Sequence, residues 1–157
     1  IEYKDGVQQV ILNGENVTSL LRTEETGKMA SKTSKYAAVR TKLVALQRGL
    51  AKKTDVIMDG RDIGTTVLPD AFAKIYLTAS SDARAKRRYD ELKEKGENCS
   101  FDAIKEDIEK RDYEDMHRAI SPLKQADDAV LVDTSDMNIE QVVAALSKII
   151  DEKKAGR

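Results

Sequence analysis

The chain is poor in residues that staple, bend or stack. Of 157 residues one is cysteine, one is histidine and two are proline, tryptophan is absent, and aromatic residues make up 4%. Cys99 alone cannot close an intramolecular disulfide, and with a single histidine there is no Cys/His set for a structural zinc site. A reducing, cytoplasmic setting is the expectation. No stretch approaches the ~18–20 consecutive apolar residues of a membrane span, and no basic, then apolar, then small-residue leader opens the chain. A soluble protein with no membrane partner is expected. Charge of one sign is also missing, since 27 Lys and Arg face 28 Asp and Glu, which argues against a polybasic, histone-like chain. Internal repeats, low-complexity tracts and linkers are absent too. The first residue is Ile1 rather than Met, which reads as a processed, trimmed or incomplete chain.

What remains is sufficient for a core. A 40% hydrophobic fraction with regularly spaced Val, Ile and Leu argues against global disorder, and the length fits one domain, or one domain carrying a small inserted module. Residues 1–21 read as short strands with turns at Asp5-Gly6 and Asn13-Gly14, because these dipeptides supply the positive φ of tight hairpins. A small antiparallel sheet is predicted, with 7–12 as one strand. Over 34–53 the residues Ala37, Ala38, Val39, Leu43, Leu46 and Leu50 recur at helical spacing. Val56-Ile57-Met58 predicts a buried strand that ends in the polar loop Asp59-Gly60-Arg61-Asp62-Ile63-Gly64-Thr65. A strand over 73–77 leads to a helix capped by Ser81 and stopped by Gly96, and Ser100 caps a second charged helix over about 101–116. A third strand over 129–133 and a striped final helix complete an alternation that indicates a parallel sheet covered on both faces.

Three constellations could carry chemistry. Asp59, Arg61 and Asp62 stand beyond the carboxyl end of a predicted strand, where open α/β sheets bind ligands. Arg61 offers a planar fork for phosphate, and the two aspartates offer acceptors for an amine, a hydroxyl or hydrated Mg²⁺. Taken alone, the same residues also describe a solvated loop with a local Asp/Arg pair. Arg84, Arg87, Arg88, Arg111 and Arg118, with Asp112 and Asp115, form a second group, in which Arg84 and Arg88 are i,i+4 and Arg111, Asp115 and Arg118 are i,i+4,i+7. Two helices turning near Gly96 could bring several guanidinium groups over a phosphate chain, as phosphoryl transfer requires; surface helices with local salt bridges are the plainer reading. Third, 22–53 carries nine Lys or Arg and only two acids, Glu24 and Glu25, a local positive field suited to a phosphorylated ligand or nucleic acid. A solvated helix face explains it equally well, and no aromatic platform accompanies it for stacking bases. His117 and Cys99 have no nucleophile or ligand motif around them and read as incidental.

These motifs in order closely resemble bacterial cytidylate kinases: Ala30-Ser31 with Arg40 nine positions after Ser31, the Asp59 to Thr65 loop, Ser80-Ser81-Asp82-Ala83-Arg84-Ala85-Lys86-Arg87-Arg88, and Arg111-Asp112-Tyr113-Glu114-Asp115-Met116-His117-Arg118-Ala119-Ile120-Ser121-Pro122-Leu123. The resemblance covers nearly the whole chain. It implies an α/β, P-loop kinase-type parallel sheet with flanking helices, a small antiparallel-sheet insert at 1–30, a core at 31–157 and a helical lid at about 82–118. It implies ATP-dependent phosphoryl transfer to CMP or dCMP with Mg²⁺. Ser31, Arg40 and Asp62 would read cytosine, Arg61 and Arg118 hold the nucleotide phosphate, and Asp115 hold the sugar. Asp59 would stand near the phosphates and Mg²⁺, and Arg84, Arg87, Arg88 and Arg111 are similar to the lid arginines that close over ATP. No residue is assigned as a direct metal ligand. The expected partners are the nucleotides alone, with no nucleic acid, and the expected state is a monomer.

One element of the family pattern is missing. Such kinases open with a strand, a G-x-x-x-x-G-K-[ST] loop and a helix, and no such pattern occurs in these 157 residues. The expectation is therefore a chain lacking the N-terminal P-loop segment, with first strand and first helix, that is inactive or nearly so. The alternative is a non-catalytic nucleotide-binding fragment or regulatory module.

Overall fold

The computed structural model describes residues 1–21 and 23–156; Arg22, where the basic stretch begins, lies outside them. The chain divides into two compact units, Ile1–Gln47 and Arg48–Arg157.

In the first unit, β1 (Glu2–Lys4) pairs antiparallel with β2 (Val7–Gln9), and β3 (Ile11–Leu12) with β4 (Glu15–Asn16). Both turns have two consecutive residues in the left-handed region, Asp5 and Gly6 at φ 52° and 77°, Asn13 and Gly14 at 52° and 88°. This is the twist that two-residue hairpins need. The result is two separate ribbons, not the one sheet expected. The strand over 7–12 breaks at Val10, whose N–H donates to Thr18 Oγ1 at 2.9 Å and whose carbonyl accepts from Val17 N at 2.9 Å. Helix α1 (Glu24–Thr33) follows, capped by Thr23, whose hydroxyl accepts from Thr26 N at 3.3 Å. Sequence periodicity missed it, because its residues are mostly small or polar and draw no apolar stripe. The next helix, α2 (Ala37–Ala51), is the one predicted over 34–53. None of the described residues of this unit is buried.

The second unit is α/β. Parallel strands β5 (Ile75–Thr78) and β6 (Val130–Asp133) pair in register from Ile75↔Val130 to Thr78↔Asp133. Between them run α3 (Ser81–Glu94) and α4 (Phe101–His117), which pack together, joined by a turn at Gly96 with φ 76°. The chain ends in α5 (Ile139–Ala155), where Asn138 and Gln141 form a reciprocal capping box. Three expectations need correction. The cap of α3 is Ser80, whose Oγ accepts from Ala83 N at 3.1 Å, while Ser81 begins the helix and donates to Glu109 Oε1 at 2.8 Å. Residues 56–58 form no strand, and Ile57 is 99% exposed. A parallel strand needs hydrogen-bonding neighbours, and among the described residues nothing pairs with this run. Nor is the sheet covered on both faces, since Leu77 and Leu131 are 52% and 56% exposed. Among the described residues the buried apolar ones are Val67, Ala85 and Val132, accompanied by the polar Asp62, Asp115 and Thr134. No helix among the described residues is long and apolar enough to cross a membrane.

Candidate functional site

The loop that follows 56–58 winds into a π-helical turn, Ile63–Val67. Its wide hydrogen bonds run from Val67 N to Asp62 O at 3.2 Å and from Leu68 N to Ile63 O at 2.7 Å. Arg48 ties down the end of the turn, donating from Nε to Val67 O at 2.9 Å and from Nη2 to Thr66 O at 2.7 Å. This member of the basic stretch thus serves the backbone. Gly60 packs closely, because a Cβ there would lie 2.9 Å from Ile63 Cγ1 and the Ile63 side chain would have to shift. The turn leaves Asp62 buried and Asp59 exposed.

Arg61, on this loop, donates from Nε to Asp115 Oδ2 at 2.9 Å, a contact between residues 54 apart in sequence. Asp115, near the end of α4, is 7% exposed, and Arg118 Nη1 stands 3.6 Å from its other oxygen. Arg118 is not on the helical face expected for it: α4 ends at His117, and Arg118 is extended at φ −65°, ψ 142°. Its Nε donates to Ser121 O at 2.6 Å. Ser121 holds that carbonyl in place from a left-handed conformation, φ 47°, directly before Pro122, where extended backbone is favoured; such strain costs on the order of 1 kcal/mol or more. Leu123 N closes the loop onto Asp115 O at 2.8 Å. The arrangement leaves Arg118 Nη2 buried with no hydrogen-bond partner. Two guanidinium groups here share one carboxylate, so the cluster carries excess positive charge and an unmet donor. An anion satisfies both.

The arginines of α3 are held differently. Arg84 donates to both oxygens of Asp112, Nη1 to Oδ1 at 3.0 Å, and from Nε to Ala79 O at 3.1 Å. The Asp112 hydrogen bond raises the Arg84 pKa above its ordinary value despite partial burial. Arg87 reaches Thr134 O, Thr134 Oγ1 at 3.4 Å and Met137 O at 3.3 Å. Arg88 pairs with Glu91 at 2.8 Å. Hydrogen bonding from Lys95 first, then from Arg88, pulls the Glu91 carboxyl down to about 2. Arg111 is exposed on α4.

Ser31 on α1 and Arg40 on α2, both half-buried, lie in the first unit, and Asp62 in the second. The His117 ring stacks on Tyr113 at 4.0 Å and its Nδ1 lies 2.8 Å from Tyr113 O. Among the described residues no cluster of three or more His, Cys, Asp or Glu could hold a metal ion. Sequence reasoning missed the backbone acceptors: Ser121 O for Arg118, Thr134 O for Arg87, and Thr66 O and Val67 O for Arg48. Ser121-Pro122 offered a signal, since Ser-Pro favours the start of a turn.

Parallel strands joined by a helical hairpin, with arginines gathered at the hairpin and beside the Asp59 to Thr65 loop, form an α/β unit of the kind expected for a P-loop-type kinase. Comparison with known proteins narrows the class. The cytidylate kinase family profile matches residues 1–152. A cytidylate kinase of Lactobacillus gasseri is 52% identical over 98% of this chain and 68% of its own length. The corresponding protein of Lactobacillus johnsonii is 51% identical with the same coverage, and that of Thermosipho melanesiensis is 47% identical over 90% of this chain and 65% of its own length. The chain belongs to the cytidylate kinase family, which makes it a nucleotide-binding transferase of pyrimidine nucleotide metabolism.

Proposed function

We propose that the protein phosphorylates CMP or dCMP at the expense of ATP. A phosphate oxygen of the monophosphate attacks the γ-phosphorus in line, the bond to the bridging oxygen breaks, and ADP leaves. The observation that carries this reading is Arg118 Nη2, a buried donor with no protein partner beside the Arg61–Asp115 pair. Arg61 and Arg118 hold the monophosphate and stay to stabilise charge that spreads over its oxygens in the transition state. Asp115 orients both arginines and accepts from the sugar. Ser31, Arg40 and Asp62 read the base: Arg40 donates to cytosine N3 and O2, and Asp62 or Ser31 accepts from the exocyclic amine. Uracil reverses polarity at two of these positions and would leave buried groups unpaired. Arg84, Arg87, Arg88 and Arg111 belong to the lid, about 82–118, that faces ATP, with 1–30 the monophosphate-side insert and 31–157 the kinase core. Asp59 suits Mg²⁺, which keeps much of its water and takes one or two carboxylates plus substrate phosphates; the ion supplies neutralisation of phosphate charge. Free nucleotides acted on by a cytoplasmic monomer accord with this assignment.

These 157 residues contain no G-x-x-x-x-G-K-[ST] loop, so by themselves they are expected to bind CMP without appreciable turnover. That same absence favours the second reading, a non-catalytic monophosphate-binding module. Thermal unfolding with nucleotides tests the shared part: CMP should protect and UMP should protect far less. Absence of any CMP effect would overturn the assignment. An ATP-dependent assay of CDP formation separates the kinase from the module.

A further inference from the structure

Arg84 is held at three of its five N–H donors. Nε reaches the carbonyl of Ala79, the residue after β5, and the two terminal nitrogens reach the two oxygens of Asp112 on α4. Both side chains are partly shielded, at 36% and 26% exposure, and Ser81–Glu109 at 2.8 Å and Lys105–Asp82 at 2.8 Å brace the same pair of helices. A lone surface ion pair contributes little, but a bidentate fork anchored to backbone removes the rotational freedom of the guanidinium plane. The anchor lies at the carboxyl end of a parallel strand, which is tied to the end of β6 by Ser80 N donating to Ser135 Oγ at 2.9 Å. Ligands of open α/β sheets bind at such ends. Two N–H groups of Arg84, one on each terminal nitrogen, remain for a ligand. Arg88 differs, with one hydrogen bond to the exposed Glu91 on its own helix.

We infer that Asp112 is a positioning residue for the phosphoryl-donor side of the site, holding Arg84 in the one orientation from which its remaining donors meet a triphosphate. The inference rests on the kinase reading above and concerns a carboxylate that touches no substrate. Its test is calorimetric titration of the full chain with ATP and, separately, with CMP, alongside thermal unfolding. Asp112→Asn keeps the shape but loses the charge and one acceptor, and should weaken ATP binding roughly tenfold while leaving CMP affinity within about twofold. Asp112→Glu should recover part of the loss, and Arg84→Lys, which keeps charge without the fork, should reproduce it. Unchanged ATP affinity in Asp112→Asn overturns the inference, as does a parallel fall in ATP affinity, CMP affinity and unfolding temperature. Wild-type chain that binds CMP but not ATP also overturns it and leaves the monophosphate site intact. Wild-type chain that binds ATP but not CMP overturns the monophosphate site alone.

Discussion

At the end of α4, Arg61 and Arg118 share one carboxylate, and Arg118 keeps a buried nitrogen with nothing to donate to. At the base of α3, Arg84 has a carboxylate to itself plus a backbone carbonyl, and Arg87 is taken up by Thr134 and Met137. The residue type is the same and the two clusters share α4, yet donors exceed acceptors in the first and are largely matched in the second. A surplus of buried donors marks a place for an anion, whereas in the second cluster most donors are spent on holding geometry and only the two left on Arg84 remain for a ligand.

The largest effect should come from removing the surplus. Arg118→Ala is expected to weaken CMP binding about 100-fold, read by calorimetry, because charge-assisted bonds to a shielded phosphate are among the strongest available. A change below threefold would break the contrast drawn between the clusters. Next, Arg87→Met should lower stability by ~1–2 kcal/mol in urea unfolding, since the Thr134 and Met137 carbonyls lose a charged donor. If stability holds, Arg87 is not a strut. Away from both clusters, Asn138→Ala removes the capping box of α5 and should cost about 1 kcal/mol by the same measurement. The smallest effect concerns Glu91. Its folded pKa of about 2 lies below the ordinary 4.5, so its contribution is complete above about pH 4.5 and fades as pH falls toward 2. Wild type should therefore exceed Glu91→Gln slightly in stability at neutral pH, and the two should converge on acidification. Divergence at low pH would show the opposite sign.

Much of the local structure was legible from residue types. Asp5-Gly6 and Asn13-Gly14 adopt the paired positive φ that those dipeptides signal, Ser100 caps α4, and Gly96 terminates α3 in the left-handed region. Each depends on interactions within four residues. The failures have the opposite character. Val56-Ile57-Met58 has strand composition but, among the described residues, no strand beside it, so its apolar content alone could not form one. Arg118 continues a helical spacing on paper, yet the chain leaves the helix one residue earlier because Ser121-Pro122 turns back to hold Arg118. Ser80 and Ser81 are chemically equivalent caps, and the choice fell to Ser80, with Ser81 free to reach Glu109 across the hairpin.

The sequence by itself determined the two hairpin turns, helices α2 to α5, strands β5 and β6, the Ser100 cap and, through four motifs in register, the family. Those are properties of short segments, set by backbone preference and side-chain spacing. Only the tertiary structure decided which arginines have donors to spare. The Arg61–Asp115 contact spans 54 residues and the Arg87–Thr134 contact 47, and hydrogen-bond capacity is consumed by whatever acceptors the fold brings near, including backbone carbonyls that no residue type announces.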